Sequence, residues 1–115
     1  MIVSGDFNNV QGMVPIDLIN GVGTAPAHRQ LARAEAFHVD GKTDWTWDGR
    51  GTEFPSRAMD HVLHSAALEV LNATVFDTEL LDAETRAKLG LDAELSKQCS
   101  DHRPILVDFR WRDSR

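Results

Sequence analysis

The chain has 115 residues, 42% of them hydrophobic and 26% charged, which is ordinary usage for one soluble globular domain and excludes disorder and collagen-like repetition. Twelve Lys and Arg against eighteen Asp and Glu leave a formal charge of -6, so the field of the whole molecule repels polyanions and disfavours a nucleic-acid binding module without chemistry. The lone cysteine, Cys99, excludes an internal disulfide, which fits either a reducing compartment, the cytoplasm being favoured, or simple indifference to redox.

Ile2 to Phe7 is a short apolar run that empties into Asn8, Asn9, Gln11 and Gly12, the pattern of a buried strand ending in a polar loop. Met1 is followed directly by Ile2 and Val3, so no basic leader and no membrane-length apolar run is expected. Pro15 to Asn20 predicts one or two helical turns stopped at Gly21. Pro26 to Phe37 is Ala-rich, with Leu31, Ala34 and Phe37 near one face, and predicts a longer helix.

From His38 to Ser56 the composition shifts to Asp, Gly, Thr and Trp, which predicts loop with a short strand at Thr43 to Trp47. Arg57 to Val75 predicts two strands joined near Ser65 to Ala67. Asp82 to Leu89 reads as a helix capped by Asp82, stopped by Gly90 and supported by a Glu84–Lys88 pair. In the last segment Ile105, Val107, Phe109 and Trp111 alternate with Leu106, Asp108, Arg110 and Arg112, a strand with one dry face. Arg110, Arg112 and Arg115 make this end basic and are assigned no role. Strands and helices are mixed, so the class is α+β, with the terminal strands framing a sheet.

Three segments place carboxylates at predicted strand borders: Gly5-Asp6-Phe7-Asn8, Arg57-Ala58-Met59-Asp60 and Ser100-Asp101-His102. Any one of them alone is an ordinary turn signal, and His102 would then be satisfied by a backbone carbonyl. Asp60, His61 and His64 do not make a metal site, because alternation along a strand turns His61 away from the other two. Cys99 and His102 lack the further cysteine of a zinc site. Trp45 and Trp47 suit either core or lid packing or stacking on a substrate ring.

Taken in order, the three segments resemble the C-terminal half of the endonuclease/exonuclease/phosphatase superfamily, the DNase I-like metal-dependent phosphoesterases. The Asp44-Trp45-Thr46-Trp47 stretch also has counterparts there, and His61 stands where many relatives carry Tyr. The resemblance implies a four-layer α/β/β/α sandwich, of which residues 1–115 form a single partial domain contributing one sheet with flanking helices. It implies a hydrolase, an endonuclease, exonuclease, phosphatase or phosphodiesterase, acting on a phosphodiester of nucleic acid or of a small molecule by in-line attack of water. By that resemblance Asp6 orients or deprotonates the water, Asn8 donates to the phosphate, His102 contacts the scissile phosphate, and Asp60 fixes the His102 tautomer. Mg²⁺ or Mn²⁺ would be held by Asp101, with Asp6 and Asn8 touching a cation as well. On an extended strand end Asp6 and Asn8 would point to the same side and share one phosphate.

The resemblance starts in the middle of the family domain, so an N-terminal half of the same domain or another chain is the expected cover for the sheet, and no membrane span is expected. By the same resemblance the metal-binding Glu belongs to that N-terminal half, so the 115 residues alone are expected to be a poor enzyme or none. The alternative is a catalytically silent fragment or interaction module that keeps the scaffold without that ligand. The segment from Gly21 to Ser56 is the expected carrier of substrate selectivity.

Overall fold

The structure, a computed structural model, describes residues 1–113; Arg115 of the basic C-terminal group lies outside the described residues. Five strands are present: β1 (Ile2–Asp6), β2 (Leu31–Arg33), β3 (Asp60–Ser65), β4 (Leu68–Val75) and β5 (Ile105–Trp111). Three short helices accompany them: α1 (Val14–Asn20), α2 (Ala83–Leu89) and α3 (Leu95–Cys99). The class is α+β.

The strands form two antiparallel sheets instead of the expected one. The first has the order β1-β3-β2 and the second pairs β4 with β5. β3 and β4 follow one another as predicted, but the turn at Ala66 and Ala67 delivers them to different sheets. The chain ends therefore frame two sheets, β1 on the edge of one and β5 on the edge of the other. Alternation along β3 puts Asp60, Val62 and His64 on one face, and the His64 ring meets Phe109 of β5 with centroids 5.3 Å apart. That ring pair joins the two sheets at this end of β3. Phe37 stitches them further, since its carbonyl accepts from Val75 N at 3.0 Å and from Thr74 Oγ1 at 3.1 Å.

The helix expected over Pro26 to Phe37 is absent. Ala27–Arg29 make a single 3-10 turn, and Leu31–Arg33 become β2, in register with Ser65, His64 and Leu63 of β3. Ala34 N continues the pairing to Val62 O at 2.8 Å. An isolated twelve-residue helix is marginal in water, whereas β3 carries a second row of backbone groups that need partners. Beyond β2 the burial alternates, with Ala34, Ala36 and His38 inside and Glu35, Phe37 and Val39 outside, the two-residue period of extended chain. Thr43 to Trp47 likewise forms no strand, only bridges from Trp47 to Arg57 and to His102. Helix α3, which no sequence signal predicted, is a single turn that brings Ser96 against Thr78, where Ser96 Oγ accepts from Thr78 N at 3.0 Å.

Helices α1 and α2 match their sequence signals. Gly21 and Gly90 end them at φ of 80° and 65°, the left-handed cap that glycine takes most cheaply. Asp82 accepts from Thr85 N at 2.8 Å, and Lys88 Nζ lies 2.7 Å from Glu84. The β5 alternation is present too, with Ile105, Val107 and Phe109 half-buried, although Trp111 at its end is 73% exposed.

Where the two sheets begin, Thr46 to Asp48 run between the Arg57 segment and the Asp101 to Arg103 segment. Trp47 N donates to Arg57 O at 2.9 Å, Asp48 N to Asp101 O at 2.8 Å and Arg103 N to Thr46 O at 2.7 Å. Thr46 is buried, and its Oγ1 accepts from both Met59 N and Asp60 N at 2.9 Å. Arg103 is buried as well: Nε donates to Asp77 Oδ2 at 2.8 Å, Nη1 to Ser100 O at 2.9 Å and Nη2 to Asp48 Oδ2 at 2.9 Å. Its guanidinium lies 5.5 Å from the centroid of Trp45.

The molecule measures 45 × 37 × 21 Å and exposes 7618 Å². A compact monomer of this mass would expose about 6,300 Å². The excess includes large apolar side chains such as Val14, Leu18, Leu71 and Trp111, each more than half exposed. Among the described residues no helix is long and apolar enough to cross a membrane.

Removing one member of a buried ionic cluster strands the others without compensation, so Arg103→Met is expected to destabilise the fold by about 3–5 kcal/mol, measured by urea unfolding. A loss below about 1 kcal/mol would show that Asp48 and Asp77 find solvent or other partners.

Candidate active site

Three segments distant in sequence meet at one end of the first sheet. β1 ends at Asp6 and β3 begins at Asp60, and the register makes these two residues direct cross-strand partners, so both side chains project from the same face. The third segment enters through the clamp around Trp47 and Arg103, which sets His102 against β3. His102 Nδ1–H donates to Asp60 Oδ2 at 2.7 Å, a charge-assisted distance, and leaves Nε2 as the ring nitrogen not engaged by Asp60. The backbone N of His102 donates to Ser100 Oγ at 3.0 Å, which closes the turn. Both side chains of the pair are less than one third exposed.

Asp6, Asn8 and His102 line one open recess together with Arg57, Met59 and Trp47. Asn8 reaches it by a route other than the one expected. The strand stops at Asp6, and Asn8 sits at φ 46°, in a left-handed conformation that Asn tolerates, with its N–H on Asp6 Oδ1 at 2.8 Å. Asp6 and Asn8 are therefore neighbours through an Asx turn, and the extended-strand argument for their common side does not hold.

Asp101 is exposed and oriented by the indole of Trp47, whose Nε1–H donates to Asp101 Oδ2 at 3.0 Å. Sequence reasoning offered Trp47 only packing or stacking. The polar role of Trp47 appears only once its main chain is placed between Arg57 and His102. Arg103 and Thr46 were missed for a related reason, since no local pattern marks an arginine or a threonine that will be buried with its partners.

The carboxylates set the charge state of His102. Its pKa lies above the ordinary value of 6.5, chiefly because of the hydrogen bond to Asp60, opposed by partial burial and reinforced by the charges of Asp60, Asp6 and Asp101. His61, one residue beyond Asp60 and on the other face of β3, goes the opposite way. Burial first, and then the positive charge of Arg33, push its pKa down, and its Nε2 lies 3.0 Å from Asn9 Oδ1. Asp48, in the clamp, is held down to about 2 by the hydrogen bond from Arg50.

The oxygen donors of Asp6, Asn8 and Asp101 are of the type a hard divalent cation takes, and Mg²⁺ often uses one or two carboxylates with waters completing its shell. Among the described residues no group of three or more His, Cys, Asp or Glu side chains is gathered as a metal cage. Asp6 and Asn8 line the recess of His102, whereas Asp101 lines the neighbouring hollow with Trp47, Asp48 and Arg103, so the donor chemistry suits Mg²⁺ or Mn²⁺ but the three donors do not line one recess. Cys99 is exposed and unpaired. No family model, curated protein or solved structure matches the chain.

These charges set the expected responses to substitution and to pH. Replacing Asp60 by Asn should lower the His102 pKa, read by NMR titration of the ring. In the wild type the Asp60–His102 bond stabilises the fold fully below the unfolded His value of 6.5 and is lost as pH rises through the higher folded value. His61 acts with the reverse sign, since its lowered value removes stability as pH falls through the unfolded and then the folded value. Asp6 opposite Asp60 is a like-charge cross-strand pair, so Asp6→Asn should stabilise the fold by about 0.2–1 kcal/mol near neutral pH. Destabilisation by Asp6→Asn would mean that a positive partner outweighs the repulsion.

Proposed function

We propose that the chain carries the acid–base and phosphate-contacting residues of a metal-dependent phosphoesterase of the DNase I-like superfamily, a nuclease or phosphodiesterase. The observation that carries this reading is the 2.7 Å hydrogen bond between Asp60 and His102, 42 residues apart, at a recess that also takes Asp6 and Asn8. The placement as a partial domain of a four-layer sandwich rests on the order of the three motifs, with which the α+β class is compatible.

Hydrolysis of a phosphate ester needs a positioned water, neutralisation of charge on the phosphoryl oxygens and a proton for the leaving oxygen. Asp6, an exposed carboxylate beside the recess, orients the water or takes its proton. Asn8 donates from its side-chain amide to a phosphoryl oxygen. His102, protonated more readily than a free imidazole, stabilises the phosphate charge or gives the proton from Nε2. Asp60 holds the Nδ1–H tautomer and compensates the imidazolium charge. Asp101, with Asp6 and Asn8, would hold a hard divalent cation such as Mg²⁺ or Mn²⁺, which would supply further charge neutralisation.

A second reading, a catalytically silent interaction module, is favoured by the surface. The chain exposes 7618 Å² against about 6,300 Å² for a compact monomer of its mass. The partner in that reading is an N-terminal half of the same domain or another chain that covers the flat body.

Hydrolysis of bis(p-nitrophenyl) phosphate with a Mg²⁺ titration separates the two. The enzyme reading expects slow turnover that rises with Mg²⁺ and falls roughly 10²–10⁴-fold in His102→Ala. Turnover independent of the metal and of His102, or none at any Mg²⁺ concentration, selects the silent module.

A further inference from the structure

We infer that the recess beside His102 is a subsite for a flat aromatic ring carried by the phosphoester, with Arg57 as the residue that meets its phosphate. The inference rests on the phosphoesterase reading and adds the class of substrate to it. The recess has a volume of about 380 Å³, within the size range of small-ligand pockets and at its lower end. Val10, Trp47, Phe54 and Met59 form its apolar walls, while Asp6, Asn8, Arg57 and His102 supply polar groups. Trp47 is held rigidly, with its N–H committed to Asp101 and its main chain paired to Arg57 and His102. Phe54 is 61% exposed, so it has apolar surface to cover when a ring enters.

Charge narrows the choice. Arg57 donates from Nη1 to Val10 O at 3.1 Å and, among the described residues, joins no ion pair with a carboxylate. Arg50, Arg103 and Arg110 are by contrast each paired to acidic side chains. One such cation beside His102 matches one phosphate. The nearby charges of Asp6, Asp60 and Asp101 and the overall charge of -6 oppose a polyphosphorylated ligand. A polyhydroxylated ring or a glycerol backbone would leave the apolar walls without a partner, whereas an aromatic ring buries against them.

The ring could belong to a nucleoside or to another aryl phosphoester, and these two sources share the chemistry. The test follows the His102 ring and the Trp47 Nε1–H by NMR while the whole chain, with Mg²⁺ present, is titrated with uridine 5′-monophosphate, phenyl phosphate, glycerol 3-phosphate or uridine. Both ring esters are expected to bind at least ~10-fold more tightly than glycerol 3-phosphate, as burial of an aromatic group implies. Tighter binding of the uridine ester assigns the subsite to nucleosides, and equal binding of the two assigns it to aryl esters in general. Phe54→Ala should bring the ring esters to the level of glycerol 3-phosphate without altering the latter. Arg57→Gln should weaken every phosphoester and leave uridine unchanged. Equal binding of all three esters, indifference to Phe54→Ala, or no binding at all overturns the subsite. Equal binding with the His102 resonances still moving leaves the phosphoesterase reading standing, whereas uridine binding as tightly as its phosphate removes that reading and leaves the ring site.

Discussion

A buried guanidinium organises this small molecule. Arg103 has no exposed side-chain surface, so its charge survives only because Asp77 and Asp48 lie 2.8 and 2.9 Å away and the Ser100 carbonyl takes a third donor. Those partners come from the end of the second sheet, the loop before Gly49 and the turn that precedes Arg103 itself. Satisfying one side chain thus pins three segments to a common point. Asp101 and His102 precede Arg103 directly and inherit its position. Thr46 works in the same way on the other strand, capping two backbone N–H groups at Met59 and Asp60 and fixing where β3 begins.

The site that results is electrostatically expensive. Asp6 and Asp60 stand opposite one another across two antiparallel strands, and Asp101 adds its charge from the neighbouring turn. His102 relieves this arrangement by holding its proton more firmly. One residue along β3, His61 is turned into the other face, where burial and Arg33 favour the neutral ring. Two histidines flanking one strand are thereby tuned in opposite directions by their surroundings alone. Facing carboxylates cost stability, and here the imidazole of His102 offsets part of that cost.

The rest of the surface has the same character. The body is only 21 Å thick along its shortest axis and leaves apolar residues of α1, β4 and β5 in water. The recess bounded by Val10, Trp47, Phe54 and Met59 is part of this surplus and adjoins His102 and Arg57. Its apolar walls and the Arg57 cation are the features on which the proposed ring-and-phosphate subsite rests.

Local chemistry by itself determined the elements whose determinants are local. The stop of α1 at Gly21, the Asp82 cap and Gly90 stop of α2, and the alternation of β5 depend on residues within a turn or two of one another. The Asp6, Asp60 and His102 segments were likewise legible as motifs, because strand-border carboxylates and a Ser-Asp-His turn are short words. Only tertiary structure decided the remainder. Pro26 to Phe37 has good helical propensity, and the unpaired edge of β3 outweighed it; the division into two sheets depends on where β4 finds β5, more than thirty residues away. Trp47 on Asp101, Thr46 under β3 and Arg103 between two acids are contacts across long sequence separations, and a long-range hydrogen bond leaves no periodicity in the chain that makes it.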